Sequence, residues 1–305
     1  MMNEDFIRRL SLQCFETPPL NIKRAGIGIA NYVYIAEYDT EKRVIRCSRT
    51  PDAYRETVYW LQRLKEINIS VPIVMEQGKF EGYEYLILSF MEGCDLGLVY
   101  DRLTNEDKRE IAKEIVRIQQ QVSALSLPSG YVENDWSWKK AFIDDSITQA
   151  ETRIERNGFF DAEKAKNLKN LATELNGYFS RIRPTAYLDD VSNKNLLIKD
   201  GRISGIIDID RIGIGDKLTY VALTRMALLD MESDTDFVDY IVEEMELEEE
   251  GKKALLFYTL IYCVDFMGER GMRFTDRKVA VNAKIIGKLN RIYDRLLKEW
   301  DFYRR

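Results

Sequence analysis

The hydrophobic pattern of this chain changes period once, near residue 90, and that change restricts the fold more than any other feature. Before it, residues 32–38 and 43–48 are rich in β-branched and aromatic side chains, with Asp39-Thr40-Glu41-Lys42 between them as a turn. Pro72-Ile73-Val74 and residues 83–90 predict further strands, and Pro51-Asp52 opens a helix over 53–65 that carries Val58, Leu61 and Leu64 at helical spacing. Beyond residue 90 the period is helical. Ile111, Ile115, Ile118 and Val122 make one face of a helix over 105–125, and helices are expected over 138–156, 161–181, 217–229, 235–245, 248–267 and 277–303. A small antiparallel sheet with one helix (residues 1–92) followed by a larger, mainly helical part (residues 93–305) is an α+β arrangement, with residues 91–96 as the hinge.

The chain contains no histidine, which excludes Ser-His-Asp and Cys-His machinery, HExxH zinc sites and any histidine base. Acid–base work must fall to carboxylates, lysine, tyrosine or cysteine. Cys14, Cys47, Cys94 and Cys263 lie far apart, form no CxxC pair and read as reduced thiols of a cytoplasmic protein. No stretch approaches the ~20 apolar residues of a membrane span, and the first residues lack a signal-peptide pattern. A net charge of −6 argues against a nucleic-acid partner, whose phosphates favour a basic face. Nothing in the pattern reads out an oligomeric state.

Two segments carry chemistry. Asp190 is followed five residues on by Asn195, in Leu188-Asp189-Asp190-Val191-Ser192-Asn193-Lys194-Asn195, and Asp208 follows the short apolar stretch Gly205-Ile206-Ile207. An acid, an amide and a second carboxylate in that order suit phosphoryl transfer: the first acid orients or deprotonates the attacking hydroxyl, while Asn195 and Asp208 hold Mg²⁺ on nucleotide phosphates. Asp189 and Asp210 read as turn or capping acids.

The run Asp190-x4-Asn195-Leu196-Leu197, then Gly205-Ile206-Ile207-Asp208, then Gly215-Asp216, resembles the aminoglycoside phosphotransferase and choline kinase-like family, whose fold is protein-kinase-like and bilobal. The resemblance implies Asp190 as catalytic base, Asn195 and Asp208 as metal ligands and Asp216 as a structural acid near the loop. It also implies that Arg46 contacts the α- and β-phosphates and pairs with Glu56, and that Val44 and Leu88 line the adenine slot. Backbone groups of Ser89 to Met91 would meet the base, and the weak motif Gly26-Ile27-Gly28-Ile29-Ala30-Asn31 would cover the phosphates. The donor is then ATP or GTP and the acceptor a hydroxyl of a small molecule: an antibiotic (aminoglycoside or macrolide), an amino alcohol such as choline or a metabolic sugar.

Three departures stand out. Leu188 replaces the histidine that braces the family's catalytic loop, Asp189 replaces a glycine, and Lys217 replaces a proline. These open a second reading, an inactive pseudokinase that binds nucleotide or serves as a scaffold. A protein kinase is disfavoured because no Ala-Pro-Glu follows Asp208. The acceptor candidates are Asp265 and Glu269, four apart on one helix face, with Tyr262 and Phe266 as apolar or cation–π partners; their alternative is a pair of solvated helix acids or an ion pair with Arg270 or Arg273. Trp136-Ser137-Trp138 is read as core packing at a helix start, and the acidic run 243–250 as a solvated loop and helix start.

Overall fold

The computed structural model describes residues 3–25, 32–274 and 277–303. The expected phosphate loop, Gly26 to Asn31, lies outside the described residues. The chain divides into two units: Met1–Gly93 with Ser204–Arg211 and Arg273–Arg277, and Cys94–Ile203 with Ile212–Met272 and Lys278–Arg305.

The first unit is built on a five-stranded sheet. Its elements are α1 (Glu4–Phe15), β1 (Asn21–Arg24), β2 (Tyr32–Glu37), β3 (Lys42–Ser48), α2 (Arg55–Glu66), β4 (Val74–Phe80) and β5 (Tyr83–Ser89). The sheet order is β1-β2-β3-β5-β4, and every neighbouring pair is antiparallel. Tyr34 and Ala36 of β2, Ile45 and Cys47 of β3 and Tyr85 and Ile87 of β5 point to one face, as a two-residue period requires. That face is covered by Phe6, Ile7 and Leu10 of α1, a helix capped by Asn3, whose side chain accepts from the Phe6 amide. Sequence reasoning passed over α1, although its buried residues have helical spacing.

The second unit is mainly helical. It contains β6 (Cys94–Asp95), α3 (Leu96–Val99), α4 (Asn105–Ser123), α5 (Asp145–Asn157), α6 (Glu163–Thr173), α7 (Asn176–Arg181), β7 (Ala186–Tyr187), β8 (Leu196–Lys199) and the start of β9 (Arg202–Ile206). After β9 come β10 (Gly213–Ile214), α8 (Leu218–Met231), α9 (Asp236–Glu244) and α10 (Glu249–Glu269). β11 (Arg273–Phe274), which is part of the first unit, and β12 (Arg277–Lys278) precede α11 (Ala283–Phe302). α8 and α10 are apolar nearly all round and form the centre, with one face each of α5 and α11 packed on α10, while the buried face of α4 packs on α9 and β7.

Three expected helices differ. Residues 139–144 form a π-helical turn before α5, the stretch 161–181 breaks into α6 and α7, and the last helix begins at Ala283 rather than at residue 277. The Asn282 side chain caps α11 by accepting from the Ile285 amide, and of the residues expected to open the helix only Arg277 and Lys278 sit in a strand instead. No described helix is long and apolar enough to cross a membrane.

Candidate active site

The segment around Asp190 leaves β7, where Ala186 and Tyr187 pair with Ile214 and Gly213, and runs to β8. Leu188, Val191, Ser192 and Asn193 are buried and anchor the loop, while Asp190 faces solvent. The loop closes on Asn195, whose backbone is left-handed (φ 65°), a conformation asparagine tolerates better than most residues. The Asn195 backbone N–H donates to Asp95 Oδ1 at 3.0 Å. Its side-chain Nδ2 donates to both the carbonyl and Oδ2 of Asp190, each at 3.0 Å. The acid and the amide singled out by sequence spacing therefore meet, through the amide nitrogen. Leu188 is braced by packing, at 2% exposure, and its backbone is bonded to the side-chain amide of Gln119.

The second cluster lies in the first unit. Arg46, only 5% exposed, points from β3 to Asp210, with Nη2 at 2.7 Å from Oδ2, and to Asp208, with Nη1 at 3.5 Å from Oδ1. Thr57 of α2 donates to the other Asp210 oxygen at 3.1 Å. Burial works against the charge on Arg46, and Asp210, with Asp208 adding to it, more than restores it, so its pKa lies above the usual arginine value. Asp210, read from sequence as a turn acid, is thus the carboxylate that grips Arg46. The signal available was its position two residues after Asp208. Glu56 is exposed on the first turn of α2, beside Thr57.

Asp208 also has a left-handed backbone (φ 59°), and its carbonyl accepts from the Asp210 amide. Its side chain keeps 56% of its surface, yet the protein mass around it raises its pKa; Arg46 opposes that shift and Asp210 adds to it. The strand leading to Asp208 is tied down by Ile206 N–H to the Ser70 carbonyl (2.9 Å) and Ser204 Oγ to the Glu92 carbonyl (2.7 Å). Gly205 lies against Met91: a Cβ there would sit 2.1 Å from Met91 Cε, which excludes any side chain unless Met91 moves. Val44 pairs directly with Leu88 across β3 and β5. The Ser89 and Phe90 amides are donated to the Ile73 and Lys42 carbonyls.

Of the acceptor candidates, Asp265 is bound by Arg153 rather than by Arg270 or Arg273. Arg270 instead pairs with Asp230 at 3.0 Å. Burial holds Asp265 and Glu269 above their usual carboxylate values, with Arg153 pulling both down. Tyr262 is half-buried, and burial together with the charges of Asp189, Asp190 and Asp265 raises its hydroxyl pKa. Asp216 is a buried hub, as expected of a structural acid. Tyr178 and Tyr258 donate to its Oδ2 at 2.7 and 2.8 Å, the Leu218 amide caps its Oδ1, and Trp138 donates to the Tyr258 hydroxyl. Trp138 is core, stacked on Phe142.

Residues 21–254 match the family model described as the phosphotransferase enzyme family, APH. The chain belongs to that family. This phosphotransferase is 21% identical over 223 residues to an aminoglycoside 3'-phosphotransferase of Enterococcus faecalis, covering 70% of this chain and 81% of that one. Its fold is that of the GDP complex of wild-type aminoglycoside 2'-phosphotransferase-IIIa, with a TM-score of 0.70 at 15% identity, covering 98% of this chain and 99% of the other. It is also that of ADP-bound aminoglycoside phosphotransferase APH(2'')-Ib, with a TM-score of 0.65 at 12% identity, covering 96% and 97%. The kinase-like fold and the phosphotransferase class expected from sequence are thereby met.

Taken one by one, the residues expected to hold magnesium are of the right chemical kind. Asn195 and Asp208 offer hard oxygens, and the described residues hold no cluster of three histidine, cysteine or acidic side chains that would make a closed protein cage. Two protein ligands completed by phosphate oxygens and water is the usual arrangement for magnesium on a nucleotide.

Proposed function

We propose that this phosphotransferase moves the γ-phosphoryl group of ATP or GTP to a hydroxyl of a small cationic molecule, with an amino sugar as the first acceptor class to test. The observation that carries the reading is the Asp190–Asn195 contact on an anchored loop. Asp190 orients the acceptor hydroxyl and takes its proton as the acceptor oxygen bonds to the γ-phosphorus. The bond to the bridging oxygen breaks, and the nucleoside diphosphate leaves. Arg46, held charged by Asp210, steadies the α- and β-phosphates, and Glu56 supports that end of the site. Val44, Leu88, Ser89 and Met91 receive the base. Magnesium held by Asn195 and Asp208 would offset charge on the phosphate oxygens.

The acidic set Asp189, Asp190, Asp265 and Glu269, with Tyr262, supports a positively charged acceptor, because a cation offsets the burial that raises Asp265 and Glu269. The aminoglycoside names of the relatives point the same way. The test is phosphoryl transfer from ATP and from GTP to an aminoglycoside panel that includes hygromycin B. Asp190→Asn should lower kcat by about 10²- to 10⁴-fold with nucleotide affinity nearly intact. Equal turnover by variant and wild type would remove Asp190 from the base role. Nucleotide binding without turnover on any hydroxyl would favour the pseudokinase reading.

A further inference from the structure

We propose that Gln119 is a positioning residue for Asp190, holding the catalytic loop through the backbone of Leu188; this rests on the reading of Asp190 given above. Gln119 lies on the buried face of α4 among Ile115, Val116, Ile118 and Val122, at 1% exposure. An amide placed there costs stability unless both of its ends are bonded. Both are, and both to one residue: Nε2 donates to the Leu188 carbonyl at 2.9 Å, and the Leu188 N–H donates to Oε1 at 3.0 Å.

One side chain thus accepts from and donates to the same backbone unit, as a hydrogen-bonded residue does in an antiparallel pair. Leu188 is the first residue past β7, whose ladder to β10 ends at Tyr187. Gln119 takes the place of a further strand and carries the backbone bonding one residue beyond the sheet. Leu188 is two residues before Asp190. At the other end of the loop Asp95 holds the Asn195 amide. The stretch from Asp189 to Lys194 is therefore tethered at both ends by side chains from outside it.

The arrangement also accounts for Leu188. A side chain that packs and makes no hydrogen bond gives the loop no polar tie at position 188, and Gln119 supplies one through the main chain instead. Leucine at 119 would fill similar space and bond to neither backbone group. Glutamate would accept from the Leu188 N–H, but only its protonated form could donate to the Leu188 carbonyl.

The experiment has two arms. Hydrogen–deuterium exchange compares wild type with Gln119→Leu. Exchange at the Leu188 amide and across Asp189 to Lys194 should quicken at least about tenfold while α10 is unchanged; unchanged exchange there overturns the proposal. Transfer from magnesium ATP or GTP to water, run well below each melting temperature, should show kcat reduced about 10- to 100-fold with nucleotide KM unchanged. Faster exchange with wild-type kcat overturns the positioning role. For Gln119→Glu, kcat relative to wild type should rise as pH falls from 9 to about 5.5, because the protonated acid restores the lost donor; a ratio independent of pH overturns the proposal. A wild type inert in every turnover assay would count against the role of Asp190, and exchange would still decide whether Gln119 holds the loop.

Discussion

Asp265 carries two opposing influences that a pH titration separates. Burial raises its pKa and Arg153 lowers it, with burial the larger. A folded-state pKa above the unfolded value, about 3.9, means that the folded protein holds the proton more tightly. The stability Asp265 contributes is therefore fully present below the unfolded pKa and is lost as pH rises through the folded one. Urea unfolding of wild type and Asp265→Asn should show the wild-type advantage smaller at pH 7 than at pH 4. An advantage that grows with pH would show that the Arg153 pair outweighs burial. At this scale the sequence was uneven in what it disclosed. Asp190 and Asn195 could be paired because only a short loop separates them, and that spacing constrains their geometry. Asp210 and Gln119 could not, because their partners Arg46 and Leu188 lie 164 and 69 residues away and no local pattern encodes such a contact. Asp265 was placed on its helix face correctly, but Arg153 is 112 residues away and was not foreseen as its partner.

Among the elements, the Asp216 hub joins α7, α8, α10 and the turn at Trp138 through one carboxylate. Removing it strands the buried Tyr258 hydroxyl, the half-buried Tyr178 hydroxyl and the Leu218 amide. Each such group costs about 1–3 kcal/mol when unpaired, so Asp216→Ala should lower the melting temperature by on the order of 10 °C. Asp216→Asn retains an oxygen that can accept both tyrosine donors and should cost less than half as much. Equal losses in the two variants would show that the charge, and not hydrogen-bond acceptance, is what the hub requires. The period change near residue 90 disclosed β2, β3, β5 and most of the helices, since periodicity records which faces are buried, whereas β1 was not expected and β4 runs Val74–Phe80 rather than over 72–74. It placed the start of α11 too early because 277–281 mixes basic and β-branched residues that suit either state, and Asn282 sets the boundary through its cap. The split of 161–181 at Glu174 and Leu175 has no proline or glycine to announce it.

For the whole molecule, family membership and fold agree with the order of motifs along the chain, and the account turns on nucleotide binding that depends on metal. The most direct measurement is thermal unfolding with ATP and with GTP, each with and without Mg²⁺, for wild type and Asp208→Ala. A ligand that binds the folded state at a thousand times its Kd stabilises it by about 4 kcal/mol, roughly 5–10 °C for a chain of this size. The account predicts a Mg²⁺-dependent rise of that order in wild type with at least one purine nucleotide, and its loss in Asp208→Ala. No rise with either nucleotide, or a rise equal in wild type and variant and indifferent to Mg²⁺, would contradict it.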